Sequence, residues 1–127
     1  MTPIDRQIEE LKLECPKATV TKLPSGAHLI SIPEVKLADG WNRESATVLF
    51  VAPPGYPGAQ PDCFWLEPGG VRLKNGNLPD RANDANPVPE VGPRGTWFSW
   101  HVQQWNPNRD NLVVYYKVIK QRLFPAR

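Results

Sequence analysis

Ser99 and His101 are a hydroxyl and a base two positions apart, a pair whose types and spacing could support covalent chemistry. A serine hydroxyl can carry an acyl group as an ester when a nearby base removes its proton, and histidine is the commonest such base. Alternate side chains of an extended segment share one face, so residues two apart can meet there. Asp84 or Asp110 could orient His101 from elsewhere in the fold. The structural alternative is that Ser99 caps a turn and that His101 packs among tryptophans.

The two cysteines, Cys15 and Cys63, have no metal-ligand spacing and are interpreted as buried thiols. Cys15 lies on the apolar side of the first predicted helix. Cys63 alternates with Trp65 toward the predicted core, and apolar surroundings raise the pKa of a thiol and make it inert. His28 falls in a predicted strand, which favours a structural role. No metal or cofactor is predicted.

The composition is that of one ordinary domain over residues 1–127, with 40% hydrophobic and 22% charged residues. The formal net charge is only +2 and the basic residues form no run, which argues against nucleic-acid binding. No apolar stretch approaches about 18 residues and no signal peptide is recognisable, so no membrane association is expected. A cytoplasmic location is the default expectation.

The N-terminal segment is predicted to be a helix that ends near Glu14. Thr2 can cap it, Pro3 suits its first position, and Asp5 lies in the positively polarised first turn. Pro16 stops it. Its apolar residues recur at helical spacing and form one stripe, which consists of Ile4, Ile8, Leu11 and Cys15.

Four short strands separated by turn residues are predicted to follow as an antiparallel meander. Their expected bounds are 18–23, 27–32, 45–51 and 63–66. A proline-rich corner separates the third strand from the fourth. Pro53 and Pro54 end the third strand there, because proline donates no backbone hydrogen bond.

Segment 67–96 has almost no periodicity and is rich in Pro, Gly, Asn and Asp, so it is predicted to be a long, ordered, functional loop. Residues 106–110 are predicted to start a second helix, which Pro125 ends. The predicted fold class is α+β: an N-terminal helix, a four-stranded antiparallel meander, a long proline-rich loop and a C-terminal helix.

Trp97, Trp100 and Trp105 form the densest aromatic patch of the chain. Aromatic residues in such density usually pack between a sheet and a helix. The alternative is that part of the patch is exposed and docks a partner protein.

The order of elements and the proline corner together resemble the ubiquitin-conjugating-enzyme fold. That family has a proline-proline-x-tyrosine-proline turn between its third and fourth strands, and the matching residues here are Pro53-Pro54-Gly55-Tyr56-Pro57, followed by Pro61. It also has a tryptophan-x-proline before its next helix, and Trp105-Asn106-Pro107 fits this pattern. The resemblance extends from Ile4 to Leu123.

A narrower resemblance is to bacterial ubiquitin-conjugating-like families that are encoded beside ubiquitin-like proteins. It rests on Gly40-Trp41-Asn42, on Pro61-Asp62-Cys63-Phe64 and on the aromatic patch around His101. This resemblance implies two partners, which are a ubiquitin-like protein and a ubiquitin-activating-type adenylating enzyme.

Two family features are missing from the chain. The family's His-Pro-Asn, whose asparagine steadies an oxyanion, does not occur in 68–80, where Asn75 and Asn77 fit turn chemistry. The family's acceptor cysteine lies eight residues before the tryptophan, and that position is Trp97 here.

The resemblance therefore implies an acceptor other than cysteine, or none. A hydroxyl acceptor would be Ser99 or, less favourably, Thr96, with His101 as the base. The alternative is a catalytically inactive variant that binds a ubiquitin-like protein or its activating enzyme.

Overall fold

A computed structural model describes residues 3–127, which form two helices and one six-stranded antiparallel sheet. The elements are α1 Pro3–Glu14, β1 Thr19–Lys22, β2 His28–Lys36, β3 Ser45–Ala52, β4 Phe64–Glu67, β5 Ala82–Asn83, β6 Thr96–Phe98 and α2 Leu112–Leu123. This confirms the predicted α+β class with an N-terminal and a C-terminal helix. Thr2, the predicted helix cap, lies outside the described residues.

The predicted number of strands is wrong, since the strand order across the sheet is β1-β2-β3-β4-β6-β5. The first four strands pair in sequence order, as the meander requires. The segment predicted to be a loop contributes β5 and leads into β6, which pairs with both β4 and β5. With two and three residues, β5 and β6 are too short to show an alternating pattern in the sequence.

The main hydrophobic core lies between one face of the sheet and the two helices. Leu11 of α1 and Tyr115 of α2 are fully buried. The ring of Tyr115 meets that of Phe50 on β3 edge-to-face, with 5.0 Å between their centroids. Burying a large apolar side chain contributes about 1.5–3 kcal/mol, so these contacts fix the helices on the sheet.

Residues 84–93 cover the other face of the sheet. Val88, which is 1% exposed, packs in a second hydrophobic cluster with Trp65. The indole Nε1 of Trp65 donates a hydrogen bond of 2.9 Å to Asn86 O. The carboxylate of Glu90 accepts two hydrogen bonds from the turn between β1 and β2. This part of the long loop is therefore built into the fold, as its apolar anchors predicted.

Helix α2 begins at Leu112, so the predicted helix start within 106–110 is wrong. Asn111 caps the helix by accepting a hydrogen bond of 2.8 Å from the main chain three residues further on. Asp110 instead accepts a hydrogen bond of 2.7 Å from Asn106 N and folds the preceding residues into turns. Side chains of this type compete with the helix for nearby backbone groups.

The proline corner is linked by hydrogen bonds to α1 and to the chain just before and at the start of α2. Tyr56 donates its hydroxyl hydrogen to Gln7 Oε1 on α1, and this same oxygen accepts a hydrogen bond of 3.2 Å from Leu112 N. The indole Nε1 of Trp105 donates a hydrogen bond of 2.7 Å to Pro57 O. The corner therefore fixes where the chain enters α2.

Candidate functional site

The pairing of β4 with β6 determines the position of Ser99. Phe64 pairs with Phe98, so extending the register by one residue sets Ser99 opposite Cys63. On its other side, Ser99 N donates a hydrogen bond of 2.9 Å to Arg81 O. Ser99 is half-buried, and its hydroxyl has no hydrogen-bond partner within the described residues.

His101 is held through the main chain of its two neighbours. Tyr115 donates its hydroxyl hydrogen to Trp100 O over 2.8 Å. Val102 N donates a hydrogen bond of 3.1 Å to Gln60 Oε1. These contacts hold the backbone of His101 against the end of the proline corner.

The imidazole of His101 faces Asp62, with 3.9 Å between Nδ1 and Oδ1. This distance is too long for a direct hydrogen bond. His101 Nδ1 is buried and has no hydrogen-bond partner within the part of the chain that the structure describes. The side chain as a whole is 41% exposed, so its exposed part lies away from Nδ1.

The carboxylates that the sequence suggested for orienting His101 are engaged elsewhere. Asp84 binds Arg72, and Asp110 binds Asn106 N. The carboxylate beside His101 is that of Asp62. In the sequence, Asp62 belongs to the motif Pro61-Asp62-Cys63-Phe64, but no signal there pairs it with His101.

Ser99 and His101 are close in the chain, but no hydrogen bond joins their side chains among residues 3–127. Both lie in the segment after β6, which has no regular secondary structure. The contact between a nucleophile and its base is often looser in a protein without its substrate. Their roles stay a prediction.

Thr96 lies at the opposite end of β6 in a different environment. It is 0% exposed. Its hydroxyl donates a hydrogen bond of 2.5 Å to Asp84 Oδ1 and accepts one of 3.0 Å from Val71 N. Because the hydroxyl of Thr96 is buried, donates one hydrogen bond and accepts another, it is less available for reaction than the hydroxyl of Ser99.

Asp84 is the centre of a hydrogen-bond network that holds the chain after β4. Besides Thr96, it accepts a hydrogen bond of 2.6 Å from Arg72 Nη2 and one of 3.1 Å from Gly70 N. Burial by itself raises the pKa of the Asp84 carboxyl. The bonds from Arg72, Thr96 and Gly70 outweigh burial and lower the pKa to about 2.

We expect the free energy of unfolding to fall as the pH drops from about 4 toward 2. In this window Asp84 binds a proton more readily in the unfolded chain, where its ordinary pKa is 3.8, than in the folded chain. Asp84→Asn should remove this share of the pH dependence and destabilise the protein at pH 7. Urea unfolding at several pH values measures both effects.

Glu44→Gln, a change at an exposed carboxylate, is the matched control and should leave the pH profile as it is. If the wild-type protein and the Asp84→Asn variant lose stability in parallel below pH 4, the role of the Asp84 network is refuted.

An open groove of about 510 Å³ lies at the end of β4, next to Asp84. Its rim carries an ion pair in which Arg94 donates hydrogen bonds of 2.5 and 3.1 Å to Glu67. Arg43 supports the adjoining loop by donating to Pro68 O and Gly69 O. The resemblance implies an oxyanion-steadying asparagine in the loop after β4, but segment 68–80 of this chain has no His-Pro-Asn.

Both cysteines are half-buried free thiols. Cys15 packs against the main core and Cys63 against the second cluster. Burial raises the pKa of the Cys63 thiol, although a hydrogen bond with Trp97 acts in the opposite sense. Burial also raises the pKa of the Cys15 thiol, although a hydrogen bond with Tyr116 acts to lower it. Neither thiol therefore has the lowered pKa that is typical of a reactive cysteine.

The three tryptophans of the aromatic patch are all half-buried. Trp97 packs against the second cluster and Trp100 against the main core, while Trp105 contacts Tyr56 with 5.8 Å between the ring centroids. These contacts favour the packing interpretation. His28 lies in β2, as predicted.

Residues 3–127 contain no group of three or more His, Cys, Asp and Glu side chains that could hold a metal ion. Among the same residues, no helix has the length and apolar character needed to cross a membrane.

Comparison with known protein families shows which family the chain belongs to. The family described as prokaryotic E2 family E matches residues 10–126, which include the proline corner and Trp105-Asn106-Pro107. No curated protein and no solved structure matches the chain significantly. The family match spans nearly the whole sequence, and the chain therefore belongs to prokaryotic E2 family E, a ubiquitin-conjugating-like family.

Proposed function

We propose that this protein is a ubiquitin-conjugating-like carrier of a prokaryotic modification pathway. It receives the C-terminal acyl group of a ubiquitin-like protein from an adenylating, ubiquitin-activating-type enzyme and passes it to an amine of a target. The chain acts as a single ubiquitin-conjugating-like domain in the cytoplasm. Ser99 is the acceptor and His101 is its base.

The observation that carries this proposal is the environment of Ser99. The strand register fixes the position of Ser99. The residue is half-buried, and its hydroxyl has no hydrogen-bond partner within the described residues. A histidine with an exposed ring edge follows two residues later. Among the three hydroxyl and thiol candidates, Thr96 has its hydroxyl fully bonded and Cys63 has a raised thiol pKa.

The chemistry of loading would be an acyl transfer. The Ser99 oxygen attacks the activated carbonyl carbon of the ubiquitin-like protein, and the new C–O bond replaces the bond to the activating enzyme. His101 takes the serine proton and returns it to the leaving group. A target amine then attacks the ester in the same way and regenerates the serine hydroxyl.

A catalytically inactive binding module is the second candidate. It is favoured by segment 68–80 after β4, which lacks the family's His-Pro-Asn and its oxyanion-steadying asparagine. It is also favoured by Trp97, which occupies the position of the family's cysteine. In this role the domain would hold the ubiquitin-like protein or its activating enzyme without accepting an acyl group.

Loading the protein with the activating enzyme, ATP and the ubiquitin-like protein tests the carrier function. We expect a covalent adduct that resists reducing agent and is cleaved by hydroxylamine, as an ester should be. Ser99→Ala should abolish it, and His101→Gln should slow its formation by about 100-fold. Ser31→Ala, at another half-buried serine, is the matched control and should load normally.

Other outcomes overturn the proposal. A complex without any adduct would support the binding module. An adduct that reducing agent cleaves and that is lost in Cys63→Ala would identify a thioester on Cys63.

A further inference from the structure

The backbone of His101 is fixed, and this restricts the groups that its ring can reach. Tyr115 holds the preceding carbonyl and Gln60 holds the following N–H. His101 Nδ1 is buried without a partner in the described chain, and Asp62 Oδ1 lies 3.9 Å from it. A small rotation of the Asp62 side chain, which is 90% exposed, would bring the two atoms into hydrogen-bond distance.

A proton taken up on the exposed edge of the ring makes the imidazole cationic, and Nδ1 then becomes a hydrogen-bond donor. Water is excluded from Nδ1 because this atom is buried. A donor left without an acceptor in such a place is costly. The carboxylate of Asp62 is the acceptor within reach.

Two titratable groups near His101 and Asp62, the Tyr115 hydroxyl and the Cys63 thiol, are uncharged near neutral pH. Burial, with smaller effects of Cys63 and Asp62, raises the pKa of Tyr115 well above its ordinary value. Burial also raises the pKa of the Cys63 thiol. The cations Arg122 and Arg127 lie over the ring of the adjoining Trp100. Among these groups, Asp62 is the one that carries a negative charge.

We infer that Asp62 is a positioning residue, which accepts a hydrogen bond from His101 Nδ1 when the imidazole takes up a proton. Its use in loading rests on the proposed function, in which that proton comes from Ser99. Asp62 orients the ring and stabilises the imidazolium, as a buried carboxylate does beside the histidine of a serine hydrolase. Asp62 itself touches neither the acyl group nor the nucleophile.

Titration of the imidazole signals by NMR tests the pairing without any partner protein. The chain has two histidines, so His28→Gln identifies the signals of His101. At the acidic end of the titration, we expect Asp62→Asn to shift the Nδ1 signal of His101, because the proton on Nδ1 then no longer faces a carboxylate. The signals of His28 are the internal control. An Nδ1 signal of protonated His101 that is the same in both proteins would overturn the inference.

A loading assay tests the consequence for the proposed reaction. We expect Asp62→Asn to slow ester formation by about tenfold or more at neutral pH, with Asp62→Glu recovering part of the rate and complex formation unaffected. Loading of Asp62→Asn at the wild-type rate would refute the positioning role. Failure of the wild-type protein to form any ester would instead refute the proposed function, and the NMR titration would still decide the pairing.

Discussion

Replacing Gly95 by alanine is expected to separate β6 from β4 and to destabilise the protein severely. A Cβ atom at this position would lie 2.3 Å from Leu66 O and 2.9 Å from Leu66 C. These are backbone atoms of an internal strand and cannot swing aside as the end of a flexible side chain can. Overpacking of this kind costs about 3 kcal/mol or more.

Urea unfolding followed by circular dichroism measures this loss. Gly55→Ala is the matched control, because the nearest atom to its new Cβ would be Ala59 Cβ at an ordinary 3.5 Å. Since the β4–β6 register also places Ser99, Gly95→Ala should impair loading in any molecules that remain folded. A midpoint equal to that of the wild-type protein would show that β6 accommodates the methyl group and would contradict the expectation.

Truncation of Arg122 is expected to have the second large effect. Arg122 is 2% exposed, and its guanidinium lies over the rings of Phe98 and Trp100 at 5.2 and 5.5 Å. Its Nη2 donates hydrogen bonds to Asp80 O at 2.6 Å and to Arg127 O at 3.0 Å. Nη1 has no partner within residues 3–127. Burial, reinforced by Arg127, lowers the pKa of Arg122 to about 10.

Arg122→Ala should lower the free energy of unfolding by about 3 kcal/mol, because it leaves a cavity under two aromatic rings and removes two hydrogen bonds. Arg122→Met should recover much of this loss, because a methionine side chain refills the space without burying a cation. Urea unfolding of both variants separates packing from charge. The exposed Lys117→Ala on the same helix is the control and should change little.

If Arg122→Met is as unstable as Arg122→Ala, the two carbonyl contacts dominate and the packing argument is wrong. If both variants are as stable as the wild-type protein, the buried guanidinium contributes nothing.

The sequence predicted those helices and strands in which the pattern of apolar residues extends over enough positions to be recognised. The stripe from Ile4 to Cys15 specified α1, and the apolar runs specified the first four strands. β5 and β6 were missed because tertiary contacts hold them: Thr96 bonds Asp84, and residues 84–93 pack on the outer face of the sheet. The start of α2 was missed because Asp110 turns its side chain back to Asn106 N.

Ser99 and His101 stay a prediction, which rests on their chemistry, on their spacing and on the resemblance that places them in the segment of the family's cysteine. Asp62 could not be paired with His101, because their proximity depends on the packing of the proline corner against the segment after β6. The burial of Arg122 could not be predicted from the sequence either, since arginine is rarely fully buried in proteins.

The hydrogen bond between Trp105 and Pro57 has a consequence for the order of folding. It joins residues 48 positions apart, and closing a flexible loop of that length costs about 3 kcal/mol in chain entropy. A single hydrogen bond contributes only about 1 kcal/mol. The contact can therefore form only after the pairing of β4 with β6 has already shortened the open chain. It is a late event in folding, so its loss should accelerate unfolding and leave the folding rate almost unchanged.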